Sequence, residues 1–238
     1  MDAAPDDPEY QSSSDLTMRI ISLNMAAIHT TSLTLNHCLF DLAARQEYLE
    51  PLRMEVEEII GAHGWTKESM ARMHKFDSFI KESSRTSGLT TLSMQRQTRV
   101  DFRLSNGVVI PKGFRVAVAS APLHNDPEIY PEPTTFKGFR FVEGSERDQL
   151  KGEGAVEDGL SRQTMVALSP SFLHFGAGRH ACPGRFFAVN EVKAILAYIL
   201  MTYDMKLPGK STTPPAARWI ADARVPDPNT EIFFRKRV

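Results

Sequence analysis

Apolar residues recur at helical spacing over long parts of this chain. The longest such stretch runs from Leu16 to about Ala44 and has Ile20, Leu23 and Leu35 on its apolar side. It predicts a helix of roughly 40 Å at a rise of about 1.5 Å per residue. The same periodicity predicts shorter helices over residues 51–60, 67–85 and 185–203.

Between the third and fourth predicted helices, apolar and polar residues alternate in the manner of β-strands. Residues 98–110 alternate around Asn106-Gly107, which is a strong signal for a two-stranded hairpin. Residues 114–120 predict another strand, and residues 230–234 predict a short strand near the end. The expected fold class is therefore mainly α with a small β-sheet.

The first 15 residues differ from the rest of the chain in composition. Residues 1–15 are acidic and rich in proline and serine, and they lack the basic and apolar regions of a signal peptide. They predict a disordered acidic segment, with the folded part over 16–238. Since no apolar run is long enough to cross a bilayer, we expect a chain that is soluble as written and has no membrane segment.

Composition narrows the class of protein. The 238 residues carry a formal net charge of -1, with 42% hydrophobic and 24% charged residues. These values are ordinary for a globular fold and argue against nucleic-acid binding driven by bulk charge. Two cysteines, Cys38 and Cys182, are too few for a disulfide framework in a chain of this length, which favours a reducing compartment.

The stretch FGAGRHACPGRFF, residues 175–187, places Cys182 in a glycine-rich loop just before a predicted helix. Free N–H groups and the dipole at a helix start stabilise a thiolate, which binds soft or borderline metals. Zinc needs about four ligands, and no CxxC or HxxxH spacing accompanies the cysteine. A cysteine nucleophile needs a base such as His174 or His180. A haem iron needs one axial protein ligand, so all three chemistries stay open.

This stretch resembles the haem-binding loop of the cytochrome P-450 (haem-thiolate monooxygenase) family, fungal type. The fixed positions of that loop are occupied by Phe175, Gly176, Gly178, Cys182 and Gly184. His180 stands where the family usually has an arginine. The resemblance implies that Cys182 is the axial thiolate ligand of a haem (iron protoporphyrin IX) and that His180 holds a haem propionate.

Further segments resemble the family in the family's order. KESSR, residues 81–85, is similar to its Glu-x-x-Arg helix and supplies Glu82 and Arg85. Arg140 in PTTFKGFRF matches the arginine that joins these two residues in a buried network, which is implied to be architectural. Arg96 stands where the family places a second haem-propionate partner.

The long helix resembles the one that crosses the distal face of the haem. The family's pattern falls on residues 26–31, which makes Thr30 the oxygen-activating hydroxyl and His29 its catalytic neighbour. Ala27 replaces a usual glycine and His29 a usual acid, as in fungal diterpene-oxidising and mycotoxin-type members. From helix physics alone, Thr30 and Thr31 are as well explained by bonding back to helix carbonyls.

The resemblance extends from about Leu16 and covers the C-terminal half of the family's fold. It implies oxidative hydroxylation of a hydrophobic small molecule, such as a terpenoid or another secondary metabolite, with an NADPH-cytochrome reductase-type electron donor. Arg179, Arg185 and Lys193 are candidates for contacting that donor. The alternative is an inactive truncated remnant that binds haem weakly or only associates with other chains. Family members of this type are usually anchored to the endoplasmic reticulum membrane.

Overall fold

The computed structural model of the chain describes residues 12–142, 164–209 and 211–237. Helices make up most of the regular structure, in agreement with the mainly α fold class predicted from the sequence. Their bounds are α1 (Ser13–Ala44), α2 (Leu49–His63), α3 (Lys67–Arg72), α4 (His74–Thr86), α5 (Ser120–His124) and α6 (Arg185–Thr202). Residues 1–11 of the predicted disordered segment lie outside the described residues. Ser12 caps α1 by accepting a hydrogen bond from the Asp15 amide.

The described strands pair antiparallel in four two-stranded sheets, where the sequence predicted one small sheet after Gly88 and a short strand pair at the end. The strands are β1 (Leu92–Gln97), β2 (Phe102–Arg103), β3 (Val109–Ile110), β4 (Arg115–Ala119), β5 (Tyr203–Lys206), β6 (Arg218–Ile220), β7 (Ala223–Val225) and β8 (Phe233–Lys236). The pairs are β1 with β4, β2 with β3, β5 with β8 and β6 with β7. The hairpin predicted at Asn106-Gly107 is the β2–β3 pair, with Gly107 at a φ of 89°.

The predicted helix over 67–85 is divided at Met73, whose ψ of 77° ends α3 before α4 begins. The side chain that favours the start of α4 at this point belongs to another helix. Both oxygens of the Glu55 carboxylate, in α2, accept hydrogen bonds from the backbone amides of Lys75 and Phe76, at 2.8 and 3.0 Å. A carboxylate on free N–H groups favours a new helix start at that point.

The core lies between the second half of α1 and the helices α2, α4 and α6. Its fully buried apolar side chains include Leu42 on α1, Leu52 on α2, Phe79 on α4 and Leu196 on α6. Burying aliphatic and aromatic side chains in this way is the main driving force for the fold.

The first half of α1 lies outside this core. Six of its large apolar side chains are 54–68% exposed, among them Ile20, Leu23 and Ile28. The predicted apolar face is present, but its neighbours around the helix are apolar too, including Met18, Ile21 and Met25. Apolar surface of this width on a helix is normally covered by a neighbouring element. No helix in the described ranges is long and apolar enough to cross a membrane.

Glu82, Arg85 and Arg140, which the sequence predicted as a network, meet in the structure. The Glu82 and Arg85 side chains are 0% exposed and bond in parallel, with Arg85 Nε and Nη2 each 2.8 Å from a carboxylate oxygen. Arg140 Nε lies 3.0 and 3.1 Å from the same two oxygens, and the Lys137 amide donates to one of them over 3.0 Å. The carboxylate is thereby surrounded by donors.

The network continues to α5. Arg85 Nη1 donates to the His124 carbonyl over 2.6 Å, and its guanidinium lies 5.0 Å from the centre of the Tyr130 ring. The His124 imidazole in turn accepts a hydrogen bond from the Leu173 amide through Nε2 at 3.0 Å. The buried charges therefore connect α4 to the segment that leads to Cys182.

Two histidines of the fold are buried, His37 on α1 and His124 on α5. Burial lowers the pKa of His37 to about 4, and the positive charge of Arg224 lowers it further. Burial also lowers the pKa of His124 to about 4, with a smaller contribution from the charge of Arg85. Both imidazoles are therefore neutral at pH 7.

We expect Arg85→Ala to lower the free energy of unfolding by about 3–5 kcal/mol, because it leaves the Glu82 carboxylate buried with too few donors. Urea denaturation and soluble yield measure this loss. Arg19→Ala is the matched control, since Arg19 pairs with Asp15 on the surface of α1 at 2.6 Å and should cost less than about 1 kcal/mol. Equal midpoints for the two variants would contradict a structural role for the network.

We expect the free energy of unfolding to fall as the pH is lowered from about 6.5 towards 4. The folded pKa of His37 and of His124 lies near 4, so in this window the unfolded chain binds more protons than the folded one. Each histidine accounts for up to ~3 kcal/mol of the loss.

Urea denaturation at a series of pH values measures this dependence. His124→Gln, which keeps an acceptor for the Leu173 amide, should flatten it. His63→Gln, at the exposed end of α2, should leave it unchanged. An unaltered slope in His124→Gln would show that His124 is not the titrating group.

Candidate functional site

The loop that carries Cys182 folds back on itself before α6 begins at Arg185. The Cys182 amide donates to the Phe175 carbonyl over 2.9 Å, which closes the loop. Gly176 and Gly178 have φ values of 70° and 66°. Because this region of φ strains residues that have a Cβ atom, the two glycines make the tight path possible.

Gly184 directly precedes α6, and its carbonyl accepts the first helical hydrogen bond, from the Ala188 amide at 2.9 Å. A Cβ atom on Gly184 would lie 4.0 Å from Cys182 Sγ. The sulfur therefore lies at ordinary contact distance from the start of the helix.

A cavity of about 390 Å³ lies between α1, α4, the cysteine loop and α6. This volume is within the range of small-molecule and cofactor sites. Four residues predicted for the site line it, namely Thr30, Phe175, His180 and Cys182. Much of the remaining wall is apolar and is supplied by Ile80, Leu89, Met165, Val189 and Val192.

The two cysteines have different surroundings. Cys182 is half-buried at the cavity, whereas Cys38 is completely buried in α1. Burial raises the pKa of the Cys38 thiol to about 12, so it stays protonated and unreactive. Among residues 12–142, 164–209 and 211–237, no three His, Cys, Asp or Glu side chains are grouped to hold one metal ion. The described residues therefore do not provide the several side-chain ligands that a zinc site needs.

Thr30 and His29 are placed differently, although they are adjacent on α1. Thr30 lines the cavity, and its hydroxyl donates to the Ala26 carbonyl over 2.7 Å. The oxygen of that hydroxyl keeps lone pairs that can accept a hydrogen bond. His29 is exposed and is not among the residues that line the cavity.

His174 is a half-buried polar residue of the cavity wall. Its ring stacks on Phe172 at 6.0 Å and meets Phe175 edge-on at 4.8 Å. Burial lowers the pKa of His174 to about 4, with a smaller effect from His124. The imidazole is therefore neutral at pH 7. The sequence marked His174 as a possible base or ligand, and the structure places it in the same cavity as Cys182.

Arg96 lies apart from these residues. It is exposed on β1, its guanidinium donates to the Gln95 carbonyl over 2.7 Å, and it is not among the cavity residues. The pairing of β1 with β4 is irregular between Ser93 and Arg96, and Met94 has a φ of 53° at this point. The Ser93 hydroxyl donates to the Leu173 carbonyl over 3.2 Å, which ties the strand to the cysteine loop.

The three basic residues considered for an electron donor do not share one surface. Arg179 is exposed. Arg185 instead donates to the Val166 and Cys182 carbonyls, at 3.2 and 3.0 Å. Lys193 is buried and pairs with Asp77 at 2.8 Å. The sequence could not show this, because the groups that bind Arg185 and Lys193 lie mostly in distant segments.

Sequence reasoning missed Met165, Thr34 and the charged residues that hold the wall. Thr34 could have been found, because it lies one helical turn after Thr30. The burial of Lys193 could also have been inferred, since it follows Val192 in the apolar stripe of α6. The sequence does not indicate that Met165 belongs to the site, because its segment is irregular and has no periodicity.

The residues at this cavity fit a haem held by a single cysteine. Cys182 offers one soft donor beside a largely apolar wall, and the glycine φ values let the backbone of its loop turn tightly at the cavity. Thr30 supplies a hydroxyl to the same space.

Comparison with known proteins agrees with this geometry. The sequence model described as Cytochrome P450 matches residues 2–233. The chain is 42% identical over 228 residues to cytochrome P450 monooxygenase 151 of Postia placenta, a match covering 95% of the chain and 44% of the relative. It is 37% identical over 227 residues to ent-kaurene oxidase P450-4 of Gibberella fujikuroi, covering 94% and 43%.

The chain thus spans less than half the length of these curated relatives. The matches confirm the resemblance found in the cysteine loop, and their fungal sources agree with the fungal type. The mainly helical architecture with small antiparallel sheets is consistent with part of that family's fold. This chain belongs to the cytochrome P450 family.

Proposed function

We propose that this chain is the haem-ligating part of a haem-thiolate monooxygenase that hydroxylates a hydrophobic small molecule. The observation that carries the proposal is the placement of Cys182 and Thr30 on one cavity. The two residues are 152 positions apart (182 − 30) in the sequence. One supplies a thiolate ligand and the other a hydroxyl, and the cavity wall between them is largely apolar.

Haem bound to a cysteine thiolate supplies dioxygen activation, which the electron-donating sulfur promotes. The residues of the chain supply the surroundings. Cys182 would hold the haem iron through its sulfur, and Gly176 and Gly178 shape the loop that presents it. His180 lines the cavity and is the nearer candidate for a propionate. Arg96 is the second candidate, and its exposed side chain has to turn away from the Gln95 carbonyl to reach one.

Thr30 is the candidate for moving a proton into the cavity. Its hydroxyl now donates to the Ala26 carbonyl, so proton transfer requires rotation away from that oxygen. His29 faces solvent one residue earlier and can exchange protons with water. A hydroxyl can relay a proton because it accepts one hydrogen bond while donating another, and an imidazole is a common general acid.

The substrate class rests on the cavity and on the relatives. Ile80, Leu89, Val189 and Val192 make much of the wall apolar, which suits a hydrophobic molecule. Relatives named ent-kaurene oxidase are 37% identical to this chain and support a terpenoid. Electrons would come from an NADPH-cytochrome reductase-type donor, and Arg179 is the exposed residue among the three basic candidates for contacting it.

A second function is favoured by one observation. The first half of α1 exposes most of its large apolar residues. A remnant that binds haem weakly or only associates with other chains would have the same feature.

We expect the chain, loaded with haem and reduced under carbon monoxide, to show the red-shifted absorption of thiolate ligation. Cys182→Ala should abolish the band because it removes the axial sulfur. Cys38→Ala is the control and should keep the band, since Cys38 is buried in α1. An unchanged band in Cys182→Ala would overturn the assignment and make Cys38 the thiolate to substitute next. A parent spectrum without the red shift would instead make His174 and His180 the ligands to test.

We expect the chain by itself to self-associate and to release peroxide rather than oxygenated product. The reason is the exposed first half of α1, which leaves apolar surface and the Thr30 side of the cavity open to water. Sedimentation, with product and peroxide measured after adding a reductase and hydrophobic substrates, tests this. Leu23→Lys should reduce association at unchanged haem content.

Co-expression with the N-terminal half of a relative separates the two functions. Product formed only on complementation favours the monooxygenase, and its absence in every arm favours the remnant. Tightly coupled turnover by the lone chain would contradict the expectation.

A further inference from the structure

The turn at residues 164–167 is held by charged side chains at three successive residues. The turn itself is closed by a hydrogen bond from the Ala167 amide to the Thr164 carbonyl over 3.1 Å. The carbonyl of Thr164 accepts from Lys81 Nζ at 3.4 Å. The amide of Met165 donates to Asp77 Oδ1 at 3.2 Å, and the carbonyl of Val166 accepts from Arg185 Nε at 3.2 Å.

Asp77 is the point at which most of these elements meet. Its second oxygen lies 2.8 Å from Lys193 Nζ, and the side chains of this pair are 7% and 3% exposed. Lys193 also donates to the Met70 carbonyl, at the end of α3, over 2.7 Å. One buried carboxylate therefore joins α4, α6 and the 164–167 turn, and through Lys193 it reaches α3.

Arg185 continues the connection to the cysteine. Besides the Val166 carbonyl, it binds the Cys182 carbonyl through Nη1 at 3.0 Å. A continuous path of polar contacts and adjoining backbone thus runs from Asp77 through Met165, Val166 and Arg185 to Cys182. It reaches across 105 residues (182 − 77).

The same elements carry the cavity wall. Met165 lines the cavity and is bonded to Asp77 through its own amide. Ile80 lies one helical turn after Asp77, and Val192 precedes Lys193. A shift of the Asp77 carboxylate would therefore move three wall residues together.

We propose that Asp77 is a positioning residue that acts with Lys193 and Arg185. It fixes the Cys182 loop relative to the part of the cavity wall that contains Met165. The inference rests on the proposed function, because the loop is fixed for binding haem through Cys182. Charged side chains suit this task, since a hydrogen bond with one ionised partner is stronger than one between neutral groups where water is excluded. An apolar pair would fill the same volume without bonding the Met165 amide.

The reactivity of the Cys182 thiol in the haem-free full chain tests the proposal. In a Cys38→Ala background, iodoacetamide reports on Cys182 alone. Asp77→Asn keeps the size of the side chain and an acceptor oxygen but removes the charge. It should increase the alkylation rate on the order of tenfold, because weakening a charge-assisted contact lets the loop open more often.

Asp41→Asn is the matched control. Asp41 is a similarly buried carboxylate on α1 that binds Arg45 and Ser83. Within the described residues, its hydrogen bonds do not include the 164–167 turn or Arg185. If Asp41→Asn lowers the urea midpoint as much as Asp77→Asn and raises alkylation as much, Asp77 only stabilises the fold and the proposal is wrong.

Arg185→Lys carries the test if Asp77→Asn does not fold. A lysine keeps the charge but cannot reproduce the geometry of a guanidinium that binds two carbonyls, so the alkylation rate should again rise. Where Asp77→Asn does fold, the increases should not multiply in the double variant, because both residues act on one path. Independent, multiplying effects would overturn the connection.

The haem-loaded chain gives a second readout that separates this inference from the proposed function. Asp77→Asn should lower the fraction of the red-shifted carbon monoxide form relative to Asp41→Asn. A parent chain without any red-shifted form would defeat the proposed function, while the alkylation rates would still decide whether Asp77 positions Cys182.

Discussion

A carboxylate without solvent-exposed surface, that of Glu82, is the constraint on which the surrounding structure depends. Such a charge is tolerated only where donors replace the lost water. Arg85, Arg140 and the Lys137 amide fill that role. Because Lys137 and Arg140 lie 55 and 58 residues from Glu82, satisfying one charge also closes a long connection onto α4.

The cysteine loop is held from two directions. On one side Arg85 binds the His124 carbonyl, and the His124 ring binds the Leu173 amide, which precedes the loop. On the other side Arg185 binds the carbonyl of Cys182 itself. The loop contains two glycines at positive φ, so it depends on these outside contacts for a single conformation.

Local patterns could be predicted from the sequence, and the contact of Arg140 with Glu82 could be predicted through the family resemblance. Other distant partnerships could not. The helices follow from apolar periodicity, and the loop around Cys182 follows from a contiguous motif. The break at Met73 could not be found in this way, because the group that caps the new helix, Glu55, belongs to α2. Nor could the Asp77 and Lys193 pair, whose members are 116 residues apart (193 − 77). Periodicity showed that the first half of α1 is apolar, but burial depends on a neighbour that periodicity does not describe.

In the first half of α1, helical order and the binding of another polypeptide are linked. The apolar side chains before Thr30 are largely exposed, and the buried residues of the helix begin only at His37. Most helical stability in proteins comes from tertiary packing, so turns without it open at a lower free-energy cost than turns in the core. A polypeptide that covered the exposed half would shift this equilibrium towards the closed turn that holds the Thr30 hydroxyl. By thermodynamic reciprocity, anything in the cavity that orders Thr30 would tighten the binding of that polypeptide by the same factor.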